Sequence, residues 1–190
     1  DANIDELDTY ARDGYRLTAV VPSCVLMFKQ ELPLLFPEDE RVQRVAKAFC
    51  DPFDYLMRRH RAGALKTEFS GTLGKVSYQV PCHLRVQNIG LKTRDVLRLV
   101  PDTTIDVIER CTGHDGTYAV KAENYEFAKK ICKPVVNRIK EGNFDHYLSD
   151  CPMAGELIAV GKVRYVGASN YNARQFAGAL KAGGRDGRPR

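Results

Sequence analysis

Six cysteines and four histidines are the residues of this 190-residue chain best suited to hold a metal or carry redox chemistry. A thiolate binds soft metals and iron–sulfur clusters and attacks disulfides, and an imidazole is a metal ligand or a proton carrier. The cysteines divide by their surroundings. Cys24, Cys82, Cys111 and Cys151 each follow a short run with strand character, whereas Cys50 and Cys132 fall at the end of a helix and inside one. Pro22 stands two residues before Cys24, Pro81 just before Cys82 and Pro152 just after Cys151. Proline presets a turn and cannot extend a strand ladder. Gly113 and Gly116 follow Cys111 and let the backbone pass close to something bulky. His83 and His114 lie beside two of the four cysteines, where they serve either as hydrogen-bonding neighbours or as ligands and proton carriers. No Cys-x-x-Cys pair occurs, so a zinc ribbon or a ferredoxin run is absent. Cys50 and Cys132 read as small core residues.

The elements that must position these residues alternate in type. Helices are expected over 3–12, 25–35, 39–49, 52–60, 93–99, 123–131 and 134–139. Strands are expected over 15–21, 75–80, 104–109 and 145–148, and a further short helix follows Pro152. Asp51 and Pro52 form an N-cap and first-turn pair for the helix over 52–60. The segment Lys75-Val76-Ser77-Tyr78-Gln79-Val80 alternates like a half-buried strand. Strands alternating with helices imply an α/β fold, a mainly parallel sheet with flanking helices. In such sheets ligands gather at the carboxyl ends of the strands, which is where the four cysteines fall. A strand over 162–166 and a helix over 173–181 are expected near the end of the chain.

Composition excludes several classes. With 44% hydrophobic and 28% charged residues the chain is a folding one. Its longest apolar stretches, such as Thr18 to Phe28, are too short and interrupted to span a bilayer. The net charge of +5 is unevenly placed: residues 161–190 hold seven Lys/Arg and one acid, leaving 22 bases and 23 acids in the rest. The near-neutral body, with bases and acids interspersed, disfavours nucleic acid as a partner. The acidic opening, Asp1-Ala2-Asn3-Ile4-Asp5-Glu6, lacks the basic region of a secretion signal and does not start with Met. The expectation is a cytoplasmic processed product or fragment, with reduced cysteines and no disulfide framework.

Pro81-Cys82-His83, Arg110-Cys111-Thr112-Gly113-His114-Asp115-Gly116-Thr117-Tyr118, Lys121-Ala122-Glu123-Asn124-Tyr125 and Ser149-Asp150-Cys151-Pro152-Met153-Ala154 follow one another in order. Together they resemble the second cysteine-rich (CCG) repeat of heterodisulfide-reductase-related iron–sulfur oxidoreductases, a group that includes a component of anaerobic glycerol-3-phosphate dehydrogenase. Pro22-Ser23-Cys24, with Lys29 and Glu31 after it, resembles the end of the preceding repeat. The resemblance spans roughly 5–158. It implies an iron–sulfur module that passes electrons between a dehydrogenase or reductase partner and a quinone or disulfide acceptor. It also implies the C-terminal half of a longer protein, without a transmembrane segment and peripheral at the membrane through its partner. Cys82, Cys111 and Cys151 would ligate a [4Fe–4S] cluster, with Cys24 as the fourth ligand and His83 or His114 as less favoured substitutes; His83, His114 and Gly113 would lie against the cofactor. The family pattern is Cys, then Cys-Cys-Gly, then Cys-x-x-Cys. Here Thr112 and Ala154 replace two of its cysteines.

Residues 159–190 form a basic tail. Gly161-Lys162-Val163-Arg164-Tyr165-Val166-Gly167-Ala168-Ser169-Asn170-Tyr171 resembles a strand–loop of aldo-keto reductases, with a coincidental strand–helix unit or a chimeric frame as the other account. The end, Gly183 to Arg190, reads as disordered. The leading function is an electron-transfer module, a subunit or fragment of an oxidoreductase and not a complete enzyme. The alternative is a zinc-bound or metal-free structural or interaction module. A third reading is thiol–disulfide catalysis by a thiol such as Cys111, although no resolving cysteine lies near it in sequence.

Overall fold

The computed structural model, which describes residues 2–161, holds five strands and nine α-helical segments. Every strand pair among these residues is parallel, and helices flank the sheets, an α/β arrangement. The chain divides into two units, one of residues 2–68 and 82–99, the other of residues 69–81 and 100–161.

In the first unit, α1 (Ala2–Arg12) leads to β1 (Leu17–Thr18). Then come α2 (Pro22–Leu26), a π-helical turn (Met27–Glu31) and α3 (Leu32–Leu35) in one continuous run. α4 (Glu40–Ala48), β2 (Phe49–Cys50) and α5 (Pro52–Arg61) follow, and α6 (Cys82–Val86) and α7 (Lys92–Leu97) complete the unit. β1 pairs with β2, Leu17 opposite Phe49 and Thr18 opposite Cys50. Val25, Val45 and Phe49 form a small core, with Phe28 stacked on Phe49 at 4.6 Å between ring centroids. Arg44 and Arg12 both reach the buried Asp8 carboxylate, which ties α1 to α4. Two helix starts are capped as their residue types dictate. Asp39 accepts the Arg41 and Val42 N–H groups, and Asp51 accepts those of Phe53 and Asp54. The hydrogen bond from the Arg41 guanidinium holds the Asp39 carboxyl down to about 2.

The second unit is built on β3 (Gly74–Gln79), β4 (Thr103–Ile108) and β5 (His146–Ser149), in the order β4-β3-β5. A 3₁₀ turn (Tyr118–Val120), α8 (Ala122–Glu141) and α9 (Pro152–Val160) complete it. Ile108, Ala128, Cys132, Val135, Leu157 and Ile158 belong to its main core.

Several expectations change. The strand over 15–21 shortens to two residues because its partner β2 offers only two and Pro22 follows. The helix after it begins at Pro22, so Cys24 is the third residue of a helix and not part of a turn. Cys82 likewise opens α6, a helix that the local pattern does not predict. β3 does not alternate in burial: Val76 to Val80 are all buried, as suits a central strand covered on both faces. α8 runs unbroken through Pro134, where the sequence predicts two helices. Pro134 lies on the exposed side with Lys130 and Lys133, where water reaches the freed carbonyl, while Ala128, Cys132, Val135, Val136 and Ile139 anchor the buried side. Of the expected tail, Ala159 and Val160 close α9 and Gly161 follows. The strand over 162–166, the helix over 173–181, the aldo-keto-reductase-like stretch beyond Gly161 and the disordered end lie outside the described residues.

Candidate functional site

Gln79 organises the carboxyl edge of the second unit's sheet. In the register of the three strands it stands opposite Ile108 of β4 and Ser149 of β5, so all three strands finish level with it. Its side chain is 1% exposed. The amide nitrogen donates to the carbonyls of Val80 (2.8 Å) and Arg110 (2.9 Å), and its Oε1 accepts from the Ser149 hydroxyl at 2.7 Å. Ser149 Oγ in turn accepts from the Cys151 N–H at 3.3 Å. One buried amide thus fixes the start of the Cys111 loop and, through Ser149, the backbone of Cys151. On the preceding residue of the strand, the Tyr78 hydroxyl donates to the Asp150 carboxylate. Neither Gln79 nor Ser149 is among the residues that the sequence marks for the site. A glutamine at the end of the central strand is the signal that could have found it, since a buried amide must find partners.

The loops carry the candidate ligands. Cys111 is exposed three residues past Ile108, and its Sγ accepts the Gly113 N–H at 3.3 Å. Gly113 has φ +82°, and a Cβ on it would lie 2.6 Å from the Ala128 carbonyl oxygen and 2.9 Å from Ile131 Cβ. The bulky neighbour that demands this glycine is therefore α8. Thr112 is 2% exposed and Ala154 1% exposed, so both side chains are buried. His114 is half-buried, and its Nε2 lies 3.0 Å from Cys151 Sγ. Cys151 is the N-cap residue of α9, buried, two residues past Ser149. Burial pushes its thiol up, while the Met153 and Ala154 amides pull the other way and Asp150 adds to the rise.

Cys24 and Cys82 belong to the first unit, and both are exposed. They begin or sit near the start of α2 and α6, two helices that touch, and Gln87 Nε2 donates to the Pro22 carbonyl at 3.3 Å. His83 is half-buried on α6. Cys24 follows β1, which belongs to the two-stranded sheet and not to the three-stranded one. Cys50 and Cys132 are buried, and burial raises both thiols, Cys132 to about 11. The structure therefore joins Cys151 to His114 and places Cys111 in the same loop as His114. Among the described residues, no group of three or more His, Cys, Asp or Glu side chains is arranged to hold a metal ion.

Chemically, the second unit offers one sulfur–nitrogen pair in contact and one exposed thiol on a fixed loop. No protein-family model matches the chain, and no solved structure does. The chain is similar to the C component of anaerobic glycerol-3-phosphate dehydrogenase of Escherichia coli strain K12, with 36% identity over 78 residues. The same protein of Escherichia coli O157:H7 gives the same values. The match covers 40% of this chain and 20% of each relative, so the chain spans about a fifth of the length of the curated relatives it matches.

Proposed function

We propose that this chain is an iron–sulfur electron-transfer module of a heterodisulfide-reductase-like oxidoreductase. The observation that carries this reading is the level ending of three parallel strands, after each of which a cysteine follows within three residues: Cys82, Cys111 and Cys151. Similarity to one component of a dehydrogenase supports a role beside a redox partner. Thiols are the donors that such clusters use, and the exposed Cys24, Cys82 and Cys111 are open to metal. Thr112 and Ala154 have no thiol and are buried, so a five-thiolate site does not fit. Under this proposal the thiols left to ligate a [4Fe–4S] cluster are Cys82, Cys111 and Cys151, with Cys24 as the fourth. When bound, such a cluster accepts and returns single electrons. The protein's own part is to hold the loops: Gln79 and Ser149 set the Cys111 and Cys151 backbones, and Gly113 presses the first loop onto α8. Among the described residues no helix is long and apolar enough to cross a membrane, and the module would work in the cytoplasm against a partner protein.

A second reading is a zinc-bound or metal-free structural module. The contact of Cys151 with His114 favours it, because zinc takes mixed sulfur and nitrogen ligands.

Anaerobic expression followed by iron, sulfide and EPR analysis tests the two. The expected result is about four irons per chain and a reduced-state EPR signal. Cys111→Ser and Cys151→Ser should lose iron, whereas Cys50→Ala and Cys132→Ala should keep it. Iron-free protein after anaerobic purification would overturn the cluster, and stoichiometric zinc without visible absorbance would establish the second reading.

A further inference from the structure

An open recess of about 250 Å³ on the surface of the first unit is lined by Arg16, Cys50, Tyr55, Arg58 and Arg59. It plays no part in the cysteine chemistry above. Each guanidinium is held on one edge only. Arg16 Nη1 donates to the Lys47 carbonyl at 3.0 Å. Arg59 donates to the Ala64 carbonyl through Nε (3.3 Å) and Nη2 (2.9 Å). Arg58 grips one oxygen of Asp54 through Nε (2.9 Å) and Nη2 (2.8 Å).

These contacts orient the three side chains but balance only one charge. Asp54 matches Arg58, whereas the partners of Arg16 and Arg59 are neutral carbonyls. The other carboxylate close behind, Asp51, is buried and accepts the Phe53 and Asp54 N–H groups. Burial pushes the Cys50 thiol up, so Cys50 adds no negative charge at neutral pH. With Asp51 counted, the three arginines still exceed the nearby carboxylates by one charge, and Arg16 and Arg59 keep unspent N–H donors in a lining that also holds Tyr55. An excess of positive charge so placed attracts an anion. A guanidinium presents paired N–H donors that match a tetrahedral oxyanion. The volume is below the usual range for larger organic ligands, which limits the occupant to a small molecule.

We propose that this recess binds a small phosphate monoester, with Arg16 and Arg59 clasping the phosphoryl oxygens, Arg58 adding a third positive charge and Tyr55 donating a hydrogen bond. The proposal is independent of iron content. Calorimetric titration of the full chain with inorganic phosphate and with methyl phosphate, against chloride at matched ionic strength, tests it. The expected result is saturable binding at one site, weakened about tenfold by Arg16→Gln or Arg59→Gln and lost in the double variant. Asp54→Asn frees Arg58 and should tighten binding. Methyl phosphate bound at least as well as inorganic phosphate places an ester in the site. Exclusion of methyl phosphate overturns the ester assignment. Binding that survives in the double variant, or that chloride reproduces, overturns the site itself. Should the double variant not fold by far-UV circular dichroism, Asp54→Asn decides: unchanged or weaker binding overturns the proposal.

Discussion

Gln79 shows how one buried side chain can organise loops that carry other chemistry. Its amide reaches both the Arg110 carbonyl and the Ser149 hydroxyl, on either side of β3. Gln79→Ala would leave the Val80 and Arg110 carbonyls and the Ser149 hydroxyl short of a partner in a site with little water. The cost of orphaned polar groups predicts a loss of about 2–4 kcal/mol, read as a lower urea midpoint. The same variant should loosen the Cys111 and Cys151 loops, seen as faster exchange of the Cys151 amide proton. A variant as stable as the parent would mean that the amide does not tie the loops. Gly113 is the complementary case. Its spacing from Cys111 is legible in sequence as a close approach, but its neighbour, α8, lies in a part of the chain that spacing does not identify.

At the scale of elements, α8 and β5 each bury a titratable group that gives the second unit a response to pH. The buried side of α8 includes Cys132, whose thiol burial pushes up to about 11. Tyr147 of β5 is pushed up to about 12, also by burial. A folded pKa above the unfolded one means that the native state holds its proton more tightly. The stability this contributes is complete below the unfolded pKa, about 8.5 for Cys and about 10 for Tyr. It is lost as pH rises toward the folded values. The second unit should therefore lose stability steadily above about pH 8.5. Cys132→Ala should flatten the first part of that decline while lowering stability at neutral pH by about 1 kcal/mol through lost packing. Urea midpoints measured across the alkaline range check both. The behaviour of Asp39 is the acid counterpart: its depressed carboxyl contributes above about 3.9 and loses that contribution as pH falls toward about 2. Pro134 marks a break by local rules, because proline removes a helix hydrogen bond. The packing of Val135, Val136 and Ile139 outweighs that loss.

At the scale of the whole molecule, the chain passes between its two units three times, after residues 68, 81 and 99. The excursion of residues 69–81 supplies β3, the central strand of the second unit's sheet. A fragment of residues 100–161 would retain β4 and β5 but no strand to join them, since neither pairs with the other. Such a fragment should lack a cooperative unfolding transition and should aggregate through its unpaired strand edges. The full chain should unfold cooperatively. Circular dichroism melts and size-exclusion chromatography distinguish the outcomes, and a folded, monomeric fragment would contradict the sheet order.

The sequence alone determined what local rules govern. Hydrophobic period and turn residues located β3, β4, β5 and most helices. The Asp51–Pro52 pair marked the start of α5, and the surroundings of Cys50 and Cys132 marked them as core residues. These depend on neighbours a few residues away, where propensity and capping act. The tertiary structure decided what depends on distant partners. It made β1 a two-residue strand of a separate sheet, buried both faces of β3, and put Cys24 and Cys82 on helices of one unit and Cys111, His114 and Cys151 in the other. It also brought His114 against Cys151 across 37 residues of chain. The physical reason is the same in each case: strand pairing, burial and side-chain contact are set by which segments meet in space, and local residue order does not encode those meetings.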